Sequence, residues 1–133
     1  MQPLARVASG GELSRISLAI QVQLAQGSGV PCLVFDEVDV GIGGSVAEVV
    51  GLQLRSVAAH RQVLCITHLP QVASQGQHHL RVVKQIKGKT TATKLEQLQP
   101  AERVDEVARM LGGRDITART RAHAEEMLEQ AKH

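Results

Sequence analysis

The chain has 133 residues, 43% apolar and 21% charged, a balance that fits one compact globular domain with a core and excludes a disordered tail. Lysine and arginine number 15 against 13 acidic residues, a formal charge of +2, too even to mark a nucleic-acid binder by itself. Phe35 is the single aromatic residue, which rules out a base-stacking platform for single-stranded nucleic acid.

Leu13, Ile16, Ile20 and Leu24 follow helical spacing and predict a helix from about Ser9 to the Gly27-Ser28-Gly29 break. Cys32 to Phe35 is apolar without alternation, as in a strand buried on both faces of a parallel sheet. Gly41 to Gly44 make a turn. A second helix then runs from about Ser45 to Ala59, with Val46, Val49, Val50, Leu54 and Val57 inward. Gln62 to Thr67 reads as another short buried strand. Strand, helix and strand form a βαβ unit, whose crossover is expected to be right-handed.

From Leu80 onward the period becomes two, and the chain predicts an antiparallel hairpin turning at Gly88. Pro100 opens a third helix with Val104, Val107, Ala108 and Leu111 inward, closed by Gly112-Gly113. A last amphipathic helix runs from about Thr117 to Lys132. No apolar run approaches the ~18 residues of a membrane span, and Met1-Gln2-Pro3-Leu4 does not read as a secretory signal. Cys32 and Cys65 sit in apolar runs and read as two buried free thiols of a reducing compartment. A zinc site recruiting His68, His78 or His79 is a weak alternative, because neither cysteine belongs to a C-x₂-C pair.

Four segments carry residues suited to chemistry. Ser9-Gly10-Gly11-Glu12 is a capping box by pattern. Its two glycines would also let a phosphate approach bare N–H groups at a helix start, and the residues alone leave both readings standing. Asp36 and Glu37 end a buried strand at the edge where α/β proteins bind ligands. Asp36 suits Mg²⁺ held partly through water, and Glu37 suits orientation or deprotonation of an attacking water; the bland alternative is a solvated turn. Val38-Asp39-Val40-Gly41-Ile42-Gly43-Gly44 does not make G-x-G-x-x-G, and Ser45 to Glu48 repeats the capping-box pattern. His68 ends the second strand, on the same expected edge as the acidic pair, where it would serve structure or contact a γ-phosphate. Gly88-Lys89-Thr90 looks like the tail of a phosphate-binding P-loop, but Val83 stands where the first glycine belongs, and the triplet falls at a hairpin turn.

In series these segments resemble the C-terminal half of an ABC-type ATPase head of the SMC-like family. Ser9 to Glu12 match the signature motif, Leu33 to Glu37 match Walker B with Glu37 at the catalytic glutamate, Asp39 matches the D-loop aspartate, and His68 matches the switch histidine. The similarity is greatest to bacterial DNA-repair members. It extends through Thr67-His68-Leu69-Pro70-Gln71-Val72-Ala73, Ala108 to Gly113 and Thr120 to Ala124. The family's P-loop lobe and coiled coil have no counterpart in these residues, so the chain reads as an excised C-terminal lobe.

The resemblance implies a fold and a mechanism. The fold is α/β: the C-terminal lobe of an ABC/SMC-type P-loop ATPase head, short parallel strands with flanking helices plus an antiparallel hairpin. Two heads would sandwich two ATP molecules. Asp36, as Mg²⁺ ligand, and the catalytic Glu37 and His68 would serve the nucleotide of their own head. Ser9, Gly10, Gly11 and Glu12 would bind the ATP of the partner head, and Asp39 would cross the interface. Partners would be a second head of the same protein and double-stranded DNA with its ends, with no membrane. The setting would be the bacterial cytoplasm, at the nucleoid. The isolated chain would be inactive without a P-loop. Loss of its other half would leave a sheet edge or an apolar face uncovered. Arg81, Lys84, Lys87, Lys89 and Lys94 would touch DNA phosphates or form a solvated face. Competing readings are a non-catalytic protein-interaction module and a head fragment of another SMC-like ATPase.

Overall fold

Strand β1 (Cys32–Asp36) and strand β2 (Gln62–Ile66) pair in parallel, with Asp36 opposite Ile66 at the carboxyl end. In this computed structural model, the described residues are 19–21, 29–36, 39, 41–88, 90–113 and 115–132. Of the helix expected from Ser9 to Gly27, residues 19–21 are helical and the rest lie outside the described residues. The chain divides into two compact units, with the boundary between Gln75 and Gly76.

In the first unit, helix α1 (Ser45–Ala58) joins the two strands as the expected crossover. Its start departs from expectation. Gly44 is the N-cap at φ 54°, and no side chain caps the helix, so the Ser45–Glu48 capping box does not form. Gly41 and Gly44 both take positive φ, which an L side chain rarely adopts, and this lets the chain turn sharply between β1 and α1. Ala47, Val50, Gly51, Leu54 and Val57 face inward, whereas Val49 is exposed. Val49 lies off the stripe because the 3.6-residue period that aligns Val50, Leu54 and Val57 turns it toward solvent.

A short helix α2 (Pro70–Ala73) follows β2, with Pro70 at its first turn and Leu69 extended before it. It packs on α1 so closely that a Cβ built at Gly51 would lie 3.0 Å from the Gln71 carbonyl oxygen. The core gathers Phe35, Ile42, Ala47, Val50, Leu54, Val57 and Val72, with Leu33, Val63, Cys65 and Leu69 against it.

The strands are covered on one face only. Alternation sends Leu33, Phe35, Val63 and Cys65 inward, while Val34, Leu64 and Ile66 are exposed, at 61%, 45% and 49%. The expected burial on both faces is therefore corrected. The same alternation puts Cys32 on the open face and Cys65 on the covered one, so only Cys65 is withdrawn from solvent.

In the second unit, β3 (Leu80–Lys87) and β4 (Thr90–Gln97) form the expected hairpin, with Gly88 at φ 63° in the turn. Helix α3 (Pro100–Gly112) begins in a capping box of Gln99 and Glu102, with the Gln99 N–H donating to Glu102 at 2.8 Å. Gly113 at φ 66° ends it. Helix α4 (Ala118–Gln130) is capped by Thr117, whose hydroxyl accepts the Thr120 N–H at 3.1 Å. Val107, Ala108 and Ala124 make a small core between α3 and α4, flanked by Val104, Leu111 and Leu128. Among the described residues no helix is long and apolar enough to cross a membrane.

Candidate functional site

The site follows from parallel pairing. Because β1 and β2 run the same way, their carboxyl ends share one edge. Asp36 closes β1, and Thr67-His68-Leu69 leaves β2 immediately after its last paired residue. Asp36 is exposed at this rim, and the His68 side chain is 69% exposed. The structure thus brings Asp36 and His68 to one rim. Ser9, Gly10, Gly11, Glu12 and Glu37 lie outside the described residues.

Asp39 sits in the turn beyond β1 and is 0% exposed. A carboxylate so placed must be compensated by donors. Its Oδ2 accepts the Thr67 hydroxyl and the His68 main-chain N–H, the latter at 3.1 Å. The His68 Nδ1 lies 3.4 Å from the same oxygen, a charge contact when the ring is protonated. The Thr67 hydroxyl in turn accepts the Leu69 N–H at 3.0 Å. Oδ1 of Asp39 is buried without a hydrogen-bond partner among the described residues. Within this chain Asp39 is thus bonded to the turn that follows β2.

Thr67 escaped the sequence reading as a functional residue. Its one signal was a hydroxyl residue at the end of a strand, directly before the histidine. β2 stops at Ile66, and the Thr67 hydroxyl beyond it donates to Asp39. Burial, reinforced by the Asp39 charge, pushes the Cys65 thiol up to about 11. Among the described residues no three His, Cys, Asp or Glu side chains group as a metal cluster, so the zinc alternative finds no support there.

The hairpin cations are partly engaged. Arg81 pairs with Glu96 at 2.9 Å and lies 3.6 Å from Glu106, and Lys94 reaches Glu96 at 3.2 Å. Lys84 is exposed, while Lys89 and the side chain of Lys87 lie outside the description. Glu106 is buried. The Arg109 guanidinium, at 2.6 Å and helped by Arg81, holds its carboxyl below the usual carboxylate range. Burial next to Arg103 lowers His79 below the ordinary imidazole value.

A solved structure from work on ATP-driven dimerization and DNA-stimulated activation of SMC ATPases superposes with a TM-score of 0.67. The match has 15% identity and covers 83% of this chain and 66% of that one. The fold is thus that of an SMC-type ATPase head. No family model matches the chain. The DNA repair protein RecN of Haemophilus influenzae and that of Vibrio cholerae are each 56% identical over 128 residues, 96% of this chain. The RecN of Bacillus subtilis is 44% identical over 131 residues, 98% of this chain. The chain matches the C-terminal portion of these RecN proteins. It spans 23% of the length of each of these three relatives.

Proposed function

We propose that the chain is the C-terminal half of an SMC-like ABC ATPase head. In the full-length protein this head would bind and hydrolyse ATP between two dimerised heads, driving the holding of DNA in double-strand break repair and recombination. One observation carries this reading: Asp36 and His68 leave adjacent parallel strands at one rim, in a chain whose relatives are DNA repair proteins. The dimerization and DNA-stimulated activation attached to the SMC structure support it from the side of the fold.

Phosphoryl transfer is catalysed mainly by positioning and charge stabilisation, so the roles divide by location. His68 faces the terminal phosphate from the rim. Glu37, next in sequence after Asp36, orients the attacking water and takes its proton. Ser9, Gly10, Gly11 and Glu12, as signature-motif residues, offer N–H groups and a serine hydroxyl to the nucleotide of the partner head. The P-loop that grips the β-phosphate comes from another part of the full-length protein, so this chain alone is inactive. Asp36 is an exposed hard-oxygen donor at the carboxyl end of β1. That suits Mg²⁺, which keeps several waters and takes one or two carboxylates beside phosphate oxygens. When bound, the ion supplies neutralisation of charge on the phosphates. A signature motif that arrives from a second molecule makes hydrolysis conditional on head pairing. Contact with double-stranded DNA and its ends belongs to the full-length protein, with Lys84 the described hairpin cation outside the Glu96 network.

The test is Glu37→Gln in the full-length protein. ATP-bound head dimers should persist in sedimentation, and turnover should fall by roughly 10²–10⁴-fold. Hydrolysis at the parental rate would remove Glu37 from the mechanism.

A further inference from the structure

We propose that Asp39 and Thr67 are positioning residues for His68: within one chain, their buried clamp fixes the 67–69 turn and sets the protonation pattern of the imidazole ring. The proposal rests on the reading of His68 as the histidine that faces the phosphate.

The geometry is specific. Oδ2 of Asp39 takes two donors from consecutive residues, the Thr67 hydroxyl and the His68 N–H. Thr67 then takes the Leu69 N–H. Three successive residues are thereby tied to one carboxylate lying 29 positions earlier. The backbone on both sides of His68 is held, while its ring projects into solvent. The ring's Nδ1 is the nitrogen turned toward Asp39, at 3.4 Å. A carboxylate facing Nδ1 favours a proton there, because the partner of one ring nitrogen decides the state of the other. Nε2 is then the atom offered to the rim.

Asp39 is completely removed from water, and the donors to its Oδ2 come from the 67–69 turn. The arrangement repeats, on unrelated chemistry, the logic by which a buried carboxylate orients a catalytic imidazole through Nδ1.

The first arm of the test reads the ring directly on this chain, by long-range ¹⁵N–¹H correlation of the His68 imidazole at a pH where the ring is neutral. The parent should show mainly the Nδ1–H form. Asp39→Asn and Thr67→Val should move most of the population to Nε2–H, and Thr67→Ser should keep the parental pattern. An unchanged tautomer in all variants overturns the proposal. So does a parent found mainly as Nε2–H, or collapse of the dispersed amide spectrum in Thr67→Val, which would make the hydroxyl an ordinary fold contact. The second arm measures ATP turnover of the full-length protein. Thr67→Val should lower kcat about tenfold or more with KM changed less than about twofold, and Thr67→Ser should restore it. A tautomer shift without any change in kcat would leave the clamp standing and strike the assignment of His68 to the phosphate.

Discussion

The main-chain N–H of His68 donates to Oδ2 of Asp39 at 3.1 Å, joining two turns 29 residues apart in sequence. This bond ties the exit of β2 to the exit of β1. Each of these strands has only five residues. Burial of Phe35 of β1 with Leu54 and Val57 of α1 supplies the cohesion, and the Asp39 carboxylate adds a tie at the edge.

Substitutions on α1 separate packing from propensity. Leu54→Ala opens a cavity in the first unit's core and should lower stability to urea by about 3 kcal/mol. Gly51→Ala would gain about 1 kcal/mol in an open helix. Here the new methyl meets the Gln71 carbonyl and the Gln75 side chain, so the urea midpoint should fall instead. A rise at Gly51→Ala would contradict the close approach of α2.

The two thiols should behave differently toward an alkylating reagent. The thiolate is the reactive form, and burial beside Asp39 pushes Cys65 up to about 11. At neutral pH, mass spectrometry of the native chain should find Cys32 labelled well before Cys65. Equal rates would place Cys65 at the surface. Asp39→Asn should leave Cys65 slow, since burial is the larger cause and the charge the smaller.

Acid should weaken the second unit in two stages. His79 is held uncharged by burial, so the unfolded chain takes up a proton near the ordinary value of 6.5 before the folded one does. Stability is full above that pH and declines as pH falls below it. Glu106 is kept ionised by Arg109, so its contribution is present above the ordinary 4.5 and is lost as pH falls toward the lower folded value. Urea midpoints followed by a probe on α3 or α4 should drop from pH 7.5 to 5.5 and again below 4.5. His79→Gln should abolish the first drop only. A midpoint that climbs on acidification would reverse the sign argued here.

Much of this architecture was legible in the residues. Short apolar runs located the first strand pair and alternation the second, and Gly88, Pro100 and Gly113 marked the turn, the start and the stop that the structure uses. The errors have physical causes. Cys32 to Phe35 is apolar at every position, so its sequence could not tell a strand covered on one face from one covered on both. Ser45-Val46-Ala47-Glu48 spells a capping box, yet the positive φ of Gly44 takes over the helix start. The intrachain contacts of Asp39 were not legible in the sequence. Its burial depends on Thr67 and His68, which no local pattern connects to it. The short helix at Pro70 was not read from the sequence, because four residues are too few to display a helical period.

The central claim is tested most directly by reconstitution: this chain is mixed with a P-loop-bearing N-terminal half of a RecN protein, and ATP hydrolysis is measured for each part and for the mixture. The chain alone should release no phosphate above a Glu37→Gln control, and the mixture should turn over ATP in a manner lost with that same substitution. Phosphate release by the chain alone, or a folded and associated mixture that stays inactive, would contradict the assignment of this chain as half of an ATPase head.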